Sequence, residues 1–143
     1  MVDPLSRKQI IKTARSYLGT PYHHQGRVKG PNGGVDCCGL LICVARELGV
    51  TSYDIDGYDM SGDGVSFLTE FESQCEKVTD PQPGDILLLE IQRQVRHCGI
   101  MGDLNGRSII HSARTYRGVV EHWIDPTLER QIYAAFKFPG VYD

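Results

Sequence analysis

The residues with the greatest chemical potential in this 143-residue sequence are its five cysteines and five histidines. Cys37 is the most informative cysteine, because a helix is predicted to begin there and a thiol in a first helical turn meets the positive end of the helix dipole. The dipole and the N–H groups there favour the thiolate, which is the nucleophilic form of cysteine. The same N–H groups suit the oxyanion of an acyl-transfer intermediate. We therefore interpret Cys37 as a candidate nucleophile, with a buried structural cysteine as the alternative.

A nucleophilic cysteine needs a base, and the base needs a partner that orients it. His97 and His111 lie in two predicted strands on either side of Asn105-Gly106, which is a strong hairpin signal. Counted outward from that turn they are not directly opposite each other, but adjacent antiparallel strands can present both on one face. The spacing therefore permits a set of one cysteine and two histidines without specifying it.

The elements that must position these side chains are helices first and strands second. Ser6 and Gln9 have the spacing of a capping box at the start of a first helix, and Gly19 ends it. Asp36 is a good N-cap for the second helix. The further predictions are helices at Cys37–Leu48 and Val65–Cys75, a loop at Thr51–Gly64, and strands at Asp85–Glu90, Arg96–Met101, Arg107–Ser112, Val119–Trp123 and Ile132–Phe138. This order predicts a single α+β domain over residues 1–143, with an antiparallel sheet of about five strands.

Short motifs along most of the chain, from about Ile10 to His122, occur in the order and context of a known family. They are LGTPY at 18–22, DCCGL at 36–40, PGDI at 83–86, HCGIMG at 97–102, IHSA at 110–113 and GVV at 118–120. In these motifs the sequence resembles the NlpC/P60 family of papain-like cysteine peptidases. The resemblance implies a papain-like core in which the helix of the nucleophile packs on an antiparallel sheet.

The resemblance also implies a role for individual residues and a substrate class. Cys37 matches the nucleophile, His97 the general base, and His111 the residue that orients the base. Tyr22 matches a tyrosine that lines the site, and Asp36 matches an aspartate that in some relatives helps to recognise the amino end of a substrate peptide. The family's usual activity is hydrolysis of amide bonds in bacterial cell-wall stem peptides, commonly between D-glutamate and a diamino acid, without a metal or organic cofactor. We therefore predict peptidoglycan stem peptides as the partner.

The sequence departs from the family pattern at two places. Position 38 is a cysteine where the family most often has serine, so that two cysteines are adjacent at the active helix. Thr51–Gly64 lacks the Arg-Thr/Ser stretch common in cell-wall relatives, which puts substrate contacts there in doubt. Without a wall-binding module or a signal peptide, the chain is similar to the single-domain members encoded with phage tails and gene-transfer agents. We expect cytoplasmic synthesis, phage-tail proteins as candidate partners, and action at the cell wall.

Composition excludes several other classes of protein. Fifteen Lys and Arg against eighteen Asp and Glu give a net charge of −3, which argues against nucleic-acid binding. No apolar run approaches the roughly 18 residues of a membrane span. An odd number of cysteines in a chain of this length favours reduced thiols over a disulfide framework.

Other interpretations stay open at this point. The same apparatus suits a wall amidase or a toxin acting on another amide bond, and a structural phage-tail module could retain catalytic residues without using them. A zinc site built from Cys37, Cys38, His97 and His111 has suitable ligand types, although adjacent cysteines lack the customary spacing. The remaining candidates are expected to be inert: His23 and His24 facing solvent at a cleft rim, His122 in a strand without a role, Cys43 and Cys75 packed, and Cys98 packed and pointing away from the site.

Overall fold

A computed structural model describes residues 5–49 and 72–141 of the chain. The helices whose two ends lie in those ranges are α1 (Arg7–Arg15), α2 (Cys37–Glu47) and α3 (Pro126–Gln131), and a 3₁₀ turn occupies Arg114–Tyr116. The strands are β1 (Arg27–Val28), β2 (Gly34–Val35), β3 (Glu76–Val78), β4 (Ile86–Ile91), β5 (Gln94–Gly102), β6 (Ser108–Ala113), β7 (Gly118–Trp123) and β8 (Ile132–Lys137). No helix in the described ranges is long and apolar enough to span a membrane.

The first helix begins where its sequence signals predict. The Ser6 hydroxyl accepts a hydrogen bond from the Gln9 N–H at 3.1 Å, and the Gln9 side chain accepts one from the Ser6 N–H at 2.8 Å. This reciprocal pair satisfies two N–H groups that a helix start would otherwise leave without a partner. The predicted capping box is therefore confirmed, and α1 turns Ile10, Ile11 and Ala14 into the core.

Six antiparallel strands form the main sheet, in the order β3-β8-β4-β5-β6-β7. The predicted α+β fold with an antiparallel sheet of about five strands is confirmed. The additional strand, Glu76–Val78, is too polar to show in the sequence and pairs only at the sheet edge beside β8. The predicted hairpin is confirmed: Asn105 (φ 53°) and Gly106 (φ 94°) turn the chain between β5 and β6. The helix α3 and the two-stranded ribbon of β1 and β2 were not predicted. The predicted loop at Thr51–Gly64 lies outside the described residues, as does most of the predicted helix at Val65–Cys75.

The sheet has an apolar cluster on each face. On one face, α1 and α2 cover alternate strand residues, and each large apolar side chain buried in this way contributes about 1.5–3 kcal/mol. The other face carries a smaller cluster. The first cluster includes Ile10, Leu40, Val44, Ile100, Ile110 and Phe136, and the second Leu87, Leu89, Met101, Ile109 and Ile124. The alternation along β5 and β6 thus directs neighbouring residues to opposite sides of the sheet.

Candidate active site

The start of α2 is held in place by a fully buried aspartate. One carboxylate oxygen of Asp36 accepts a hydrogen bond from the Gly39 N–H at 2.7 Å, and the other accepts one from the Gln25 N–H at 2.7 Å. The Ser112 hydroxyl on β6 donates to the Val35 carbonyl at 2.7 Å and so ties the residue before the cap to the sheet. Together these bonds fix where Cys37, the first residue of α2, lies relative to β6.

Two glycines allow the close approach on which the site depends. A Cβ atom at Gly39 would lie 2.4 Å from the Gly26 carbonyl oxygen, so only glycine lets the first turn of α2 pack on that loop. A Cβ atom at Gly99 would lie 2.7 Å from the Ile109 side chain and 3.0 Å from the Cβ of His111. Glycine at 99 therefore leaves the space that His111 occupies beside β5.

Three cysteine sulfurs meet at the junction of α2 and β5. The Sγ atoms of Cys37, Cys38 and Cys98 all lie within 4.8 Å of one another, and each residue is at most 1% exposed. Hydrogen bonds from the thiols of Cys38 and Cys98 hold the pKa of Cys37 well below its ordinary value, and the nearby His97 acts in the same direction against the effect of burial. Burial raises the pKa values of Cys38 and Cys98, and hydrogen bonding to Cys37 adds to the rise. These shifts favour a thiolate at Cys37 and thiols at Cys38 and Cys98.

Three imidazole rings form a hydrogen-bonded row that begins at His97. Its Nε2 lies 2.7 Å from Nδ1 of His111, and Nε2 of His111 lies 2.8 Å from Nε2 of His122. The last ring in turn has its Nδ1 3.1 Å from the carbonyl oxygen of Trp123. The ring of Tyr116 packs against both His111 and His122, with centroid distances of 5.7 and 5.1 Å. The row therefore runs from β5 through β6 to β7, and it ends on a backbone carbonyl.

That terminal carbonyl assigns the tautomer of every neutral ring in the row. A carbonyl oxygen can only accept, so His122 carries its proton on Nδ1 and its Nε2 accepts from Nε2–H of His111. The Nδ1 of His111 is then an acceptor, and His97 donates to it from Nε2. Nδ1 of His97 is left as the basic nitrogen, and it is the ring nitrogen available to Cys37.

His111 is suited to a neutral role in this row. It is 5% exposed, and burial, together with the neighbouring rings of His97 and His122, lowers its pKa from 6.5 to about 3. A ring that stays neutral near pH 7 accepts from His97 whether His97 is neutral or protonated. The arrangement can therefore orient the base without competing for its proton.

A groove of about 700 Å³ opens on the imidazole side of Cys37. Next to His97, the pairing of β4 with β5 shifts register, because Leu89 pairs with His97 while Glu90 pairs with Val95. The extra residue, Arg96, lines the groove together with His97, as expected of a bulge that redirects a side chain. Further lining residues are Tyr22, Gln92, Arg114, Tyr116, Asp125 and Gln131.

The other predicted binding residues differ in their surroundings. Tyr22 lines the groove, with the Arg114 guanidinium 5.4 Å from its ring centroid, and burial raises its pKa. Asp36 is 0% exposed and caps α2, so its carboxylate serves the fold, and its role in substrate recognition stays a prediction. His23 and His24 are exposed, as expected, and line a shallow depression beside Tyr22 and Arg114.

The expectations for two residues need correction. Cys98 is packed as predicted, but it does not point away from the nucleophile, because the Cys37 sulfur is directed toward the face of β5 that α2 covers. His122 was expected to lie in a strand without a role, and it does lie in β7, but it also contacts the ring of His111. The strand register could have predicted this contact. His111 pairs with Val120 on β7, and His122 lies two residues from Val120 on the same face of the sheet, within reach of the His111 ring.

Known proteins share both the sequence pattern and the fold of this chain. A sequence profile described as the NlpC/P60 family matches residues 19–135. A search of curated proteins found no match. The fold is similar to the crystal structure of the NlpC/p60 domain of peptidoglycan hydrolase SagA, with 24% identity, a TM-score of 0.66, and coverage of 94% of this chain and 100% of that one.

Two further solved structures have the same fold. An NlpC/P60 family protein from Bacillus cereus ATCC 10987 has 20% identity and a TM-score of 0.69, and the match covers 96% of this chain but only 41% of that one. An N-acetylmuramoyl-L-alanine amidase from Bacteroides uniformis has 15% identity and a TM-score of 0.58, over 91% of this chain and 96% of that one. Because the family profile covers most of the sequence and the six-stranded fold agrees with it, the chain belongs to the NlpC/P60 family.

Proposed function

We propose that this protein is a cysteine peptidase that hydrolyses amide bonds in the stem peptides of bacterial peptidoglycan. The observation that carries the proposal is the meeting of Cys37, at the start of α2, with the hydrogen-bonded pair His97 and His111 at one wall of an open groove. Acyl transfer through a thioester requires a nucleophile, a base beside it and a group that orients the base.

In the proposed mechanism Cys37 gives its proton to Nδ1 of His97, and the resulting thiolate attacks the scissile carbonyl carbon. Backbone N–H groups at the start of α2 stabilise the oxyanion. His97, protonated at Nδ1, gives that proton to the leaving amine, and the acyl group stays on Cys37 as a thioester. Nδ1 of His97 then takes a proton from water, whose hydroxyl group attacks the thioester and releases the carboxylic acid. Nε2 of His97 donates to His111 throughout, so the ring does not rotate between steps.

The charges of the groove support a substrate that carries carboxylates. Arg96 and Arg114 both line it, whereas Asp125 uses a carboxylate oxygen to accept from the Leu128 N–H at 2.8 Å. A stem peptide in which D-glutamate is joined through its side chain retains a free α-carboxylate, which a guanidinium binds well. We therefore propose the bond between D-glutamate and the diamino acid as the one cleaved.

Digestion of purified sacculi tests this proposal. Sacculi containing different diamino acids are incubated with the wild-type protein and with Cys37→Ala, and the soluble products are identified by mass. We expect products that end in D-glutamate and new amino termini at the diamino acid, from the wild type alone. Intact stem peptides after prolonged incubation with the wild type would contradict the proposal.

A second candidate is a wall amidase that uses the same three residues. The observation that supports this candidate is the similarity in fold to the amidase from Bacteroides uniformis, which extends over 91% of this chain. The same digestion separates the two, because an amidase releases the whole stem peptide from the glycan and leaves its internal bonds intact. The predicted association with phage-tail proteins stays a prediction.

A further inference from the structure

The cluster of three sulfurs is more than the proposed hydrolysis requires. One thiolate suffices as a nucleophile, yet Cys37, Cys38 and Cys98 bring three Sγ atoms within 4.8 Å of one another. They come from two elements that are distant in sequence, the first turn of α2 and the strand β5. The arrangement therefore comes from the fold and is not explained by the adjacency of the two cysteines at 37 and 38 alone.

We propose that Cys37, Cys38 and Cys98 form a binding site for one thiophilic cation of the Zn²⁺ or Cd²⁺ class, which blocks the nucleophile when bound. Soft thiolate ligands select such cations, and three of them with one further ligand make a tetrahedral set. Zinc–sulfur bonds of about 2.3 Å place tetrahedral sulfurs roughly 3.8 Å apart. With sulfurs already within 4.8 Å, closure needs shifts of an ångström or less at each side chain.

The site has an entrance and a candidate fourth ligand. Cys37 lines the groove, so a cation reaches the sulfurs from the side where the substrate is proposed to bind. His97 also lines the groove, and because its Nε2 is bonded to His111, Nδ1 is the ring nitrogen left to bind a cation. Neutral imidazole is a common zinc ligand, and a hydrogen bond at its other nitrogen fixes its orientation.

Cadmium titration tests the binding site without relying on catalysis. The wild-type protein, kept reduced with a phosphine, is titrated with Cd²⁺ while the ultraviolet thiolate-to-cadmium charge-transfer band is recorded. We expect saturation at one Cd²⁺ per chain. In Cys98→Ser the band should fall by about a third, and affinity should fall by at least roughly 100-fold, more than the loss of an outer partner costs.

Matched controls come from the two cysteines outside the cluster. Cys43→Ser and Cys75→Ser each remove one thiol and should leave the band and the affinity unchanged. If Cys98→Ser proves unfolded by circular dichroism, Cys38→Ser decides, since the family most often has serine at that position. Unchanged cadmium binding in these cluster variants, or equal losses in the controls, would overturn the proposal.

Inhibition rests on the proposed function and is measured separately. Zn²⁺ should abolish wall-peptide hydrolysis by the wild type, and a chelator should restore it. Cadmium binding by a protein that cleaves no wall peptide would overturn the proposed function but leave the metal site in place. Undiminished hydrolysis with one Zn²⁺ bound per chain would overturn the claim that the cation blocks Cys37.

Discussion

The site contains two groups of three like residues, and they differ in almost every physical respect. The three cysteines lie at the α2–β5 junction, each at most 1% exposed, and their sulfurs lie within 4.8 Å of one another. The three histidines lie toward the groove, on β5, β6 and β7, and are joined in a row that ends on the Trp123 carbonyl.

The comparison shows two ways of setting a protonation state. In the buried sulfur cluster, desolvation keeps Cys38 and Cys98 as thiols, and their hydrogen bonds then favour the single thiolate at Cys37. In the histidine row, a fixed acceptor at one end determines which nitrogen carries each proton. Hydrogen bonds from the neighbouring thiols thus favour the thiolate at Cys37, and the direction of the hydrogen bonds along the row leaves Nδ1 of His97 as the base.

The largest effect is expected from removing the base. His97→Ala should lower kcat by roughly 10⁴-fold with circular dichroism unchanged, because the leaving amine loses its proton donor. His23→Ala, a change to an exposed histidine outside the 700 Å³ groove, is the matched control and should retain full activity. Equal activity of the two variants on sacculi would break the assignment of roles within the histidine row.

The next effect concerns acid stability and His111. Its pKa is about 3 when folded and 6.5 ordinarily, so below pH 6.5 the unfolded state binds a proton that the folded state does not. As the pH is lowered from 6.5 to 3, the free energy of unfolding should therefore fall by roughly 1.4 kcal/mol for each pH unit. His111→Gln should flatten that fall in urea titrations at several pH values, and it should cost less activity than His97→Ala. An identical pH slope in the variant would show that His111 is not the neutral buried ring described.

A smaller effect should separate the sulfur cluster from the histidine row. Cys98→Val removes a donor to the Cys37 thiolate, and a hydrogen bond to a charged group is worth about 1.5–3 kcal/mol. The pKa of Cys37 should rise by about one unit or more, seen as slower alkylation at pH 6. Cys75→Val, a change to a cysteine outside the cluster, is the control. No change in the alkylation profile would mean that the neighbouring thiols do not stabilise the thiolate.

The smallest effect is expected at the end of the row. His122→Phe removes the acceptor for His111 but leaves the His97–His111 bond, so kcat should fall by only about 10-fold, with KM nearly constant. His24→Phe, a change to an exposed histidine before β1, serves as control. His122→Gln, which keeps an acceptor, should recover most of the loss. Failure of glutamine to outperform phenylalanine would remove His122 from the orienting row.

Sequence predicted what local chemistry determines and missed what pairing across the sheet determines. The capping box of α1, Asp36 before α2 and the Asn105-Gly106 turn are signals contained within a few residues, and all three appear in the structure. The strand β3 has no apolar alternation, so the sequence of Glu76–Val78 does not predict a strand.

The candidate site shows the same division. The motifs identified Cys37, His97 and His111, and the structure brings the two histidines into direct hydrogen-bond contact. Strand alternation correctly predicted that Cys98 is packed. It does not predict the direction in which the first turn of α2 points the sulfurs of Cys37 and Cys38. Arg96 enters the groove through a bulge opposite the Leu89–Glu90 step, and a bulge depends on pairing that a single strand's sequence does not specify.

The most direct test of the central claim is to identify which of the five cysteines is ionised. The reduced, metal-free protein is treated with limiting iodoacetamide at pH 6, and the labelled cysteine is located by peptide mass spectrometry while activity on sacculi is followed. We predict a single label on Cys37, with activity lost in proportion to labelling. Preferential labelling of Cys43 or Cys75, or full activity in protein labelled stoichiometrically at Cys37, would contradict the account.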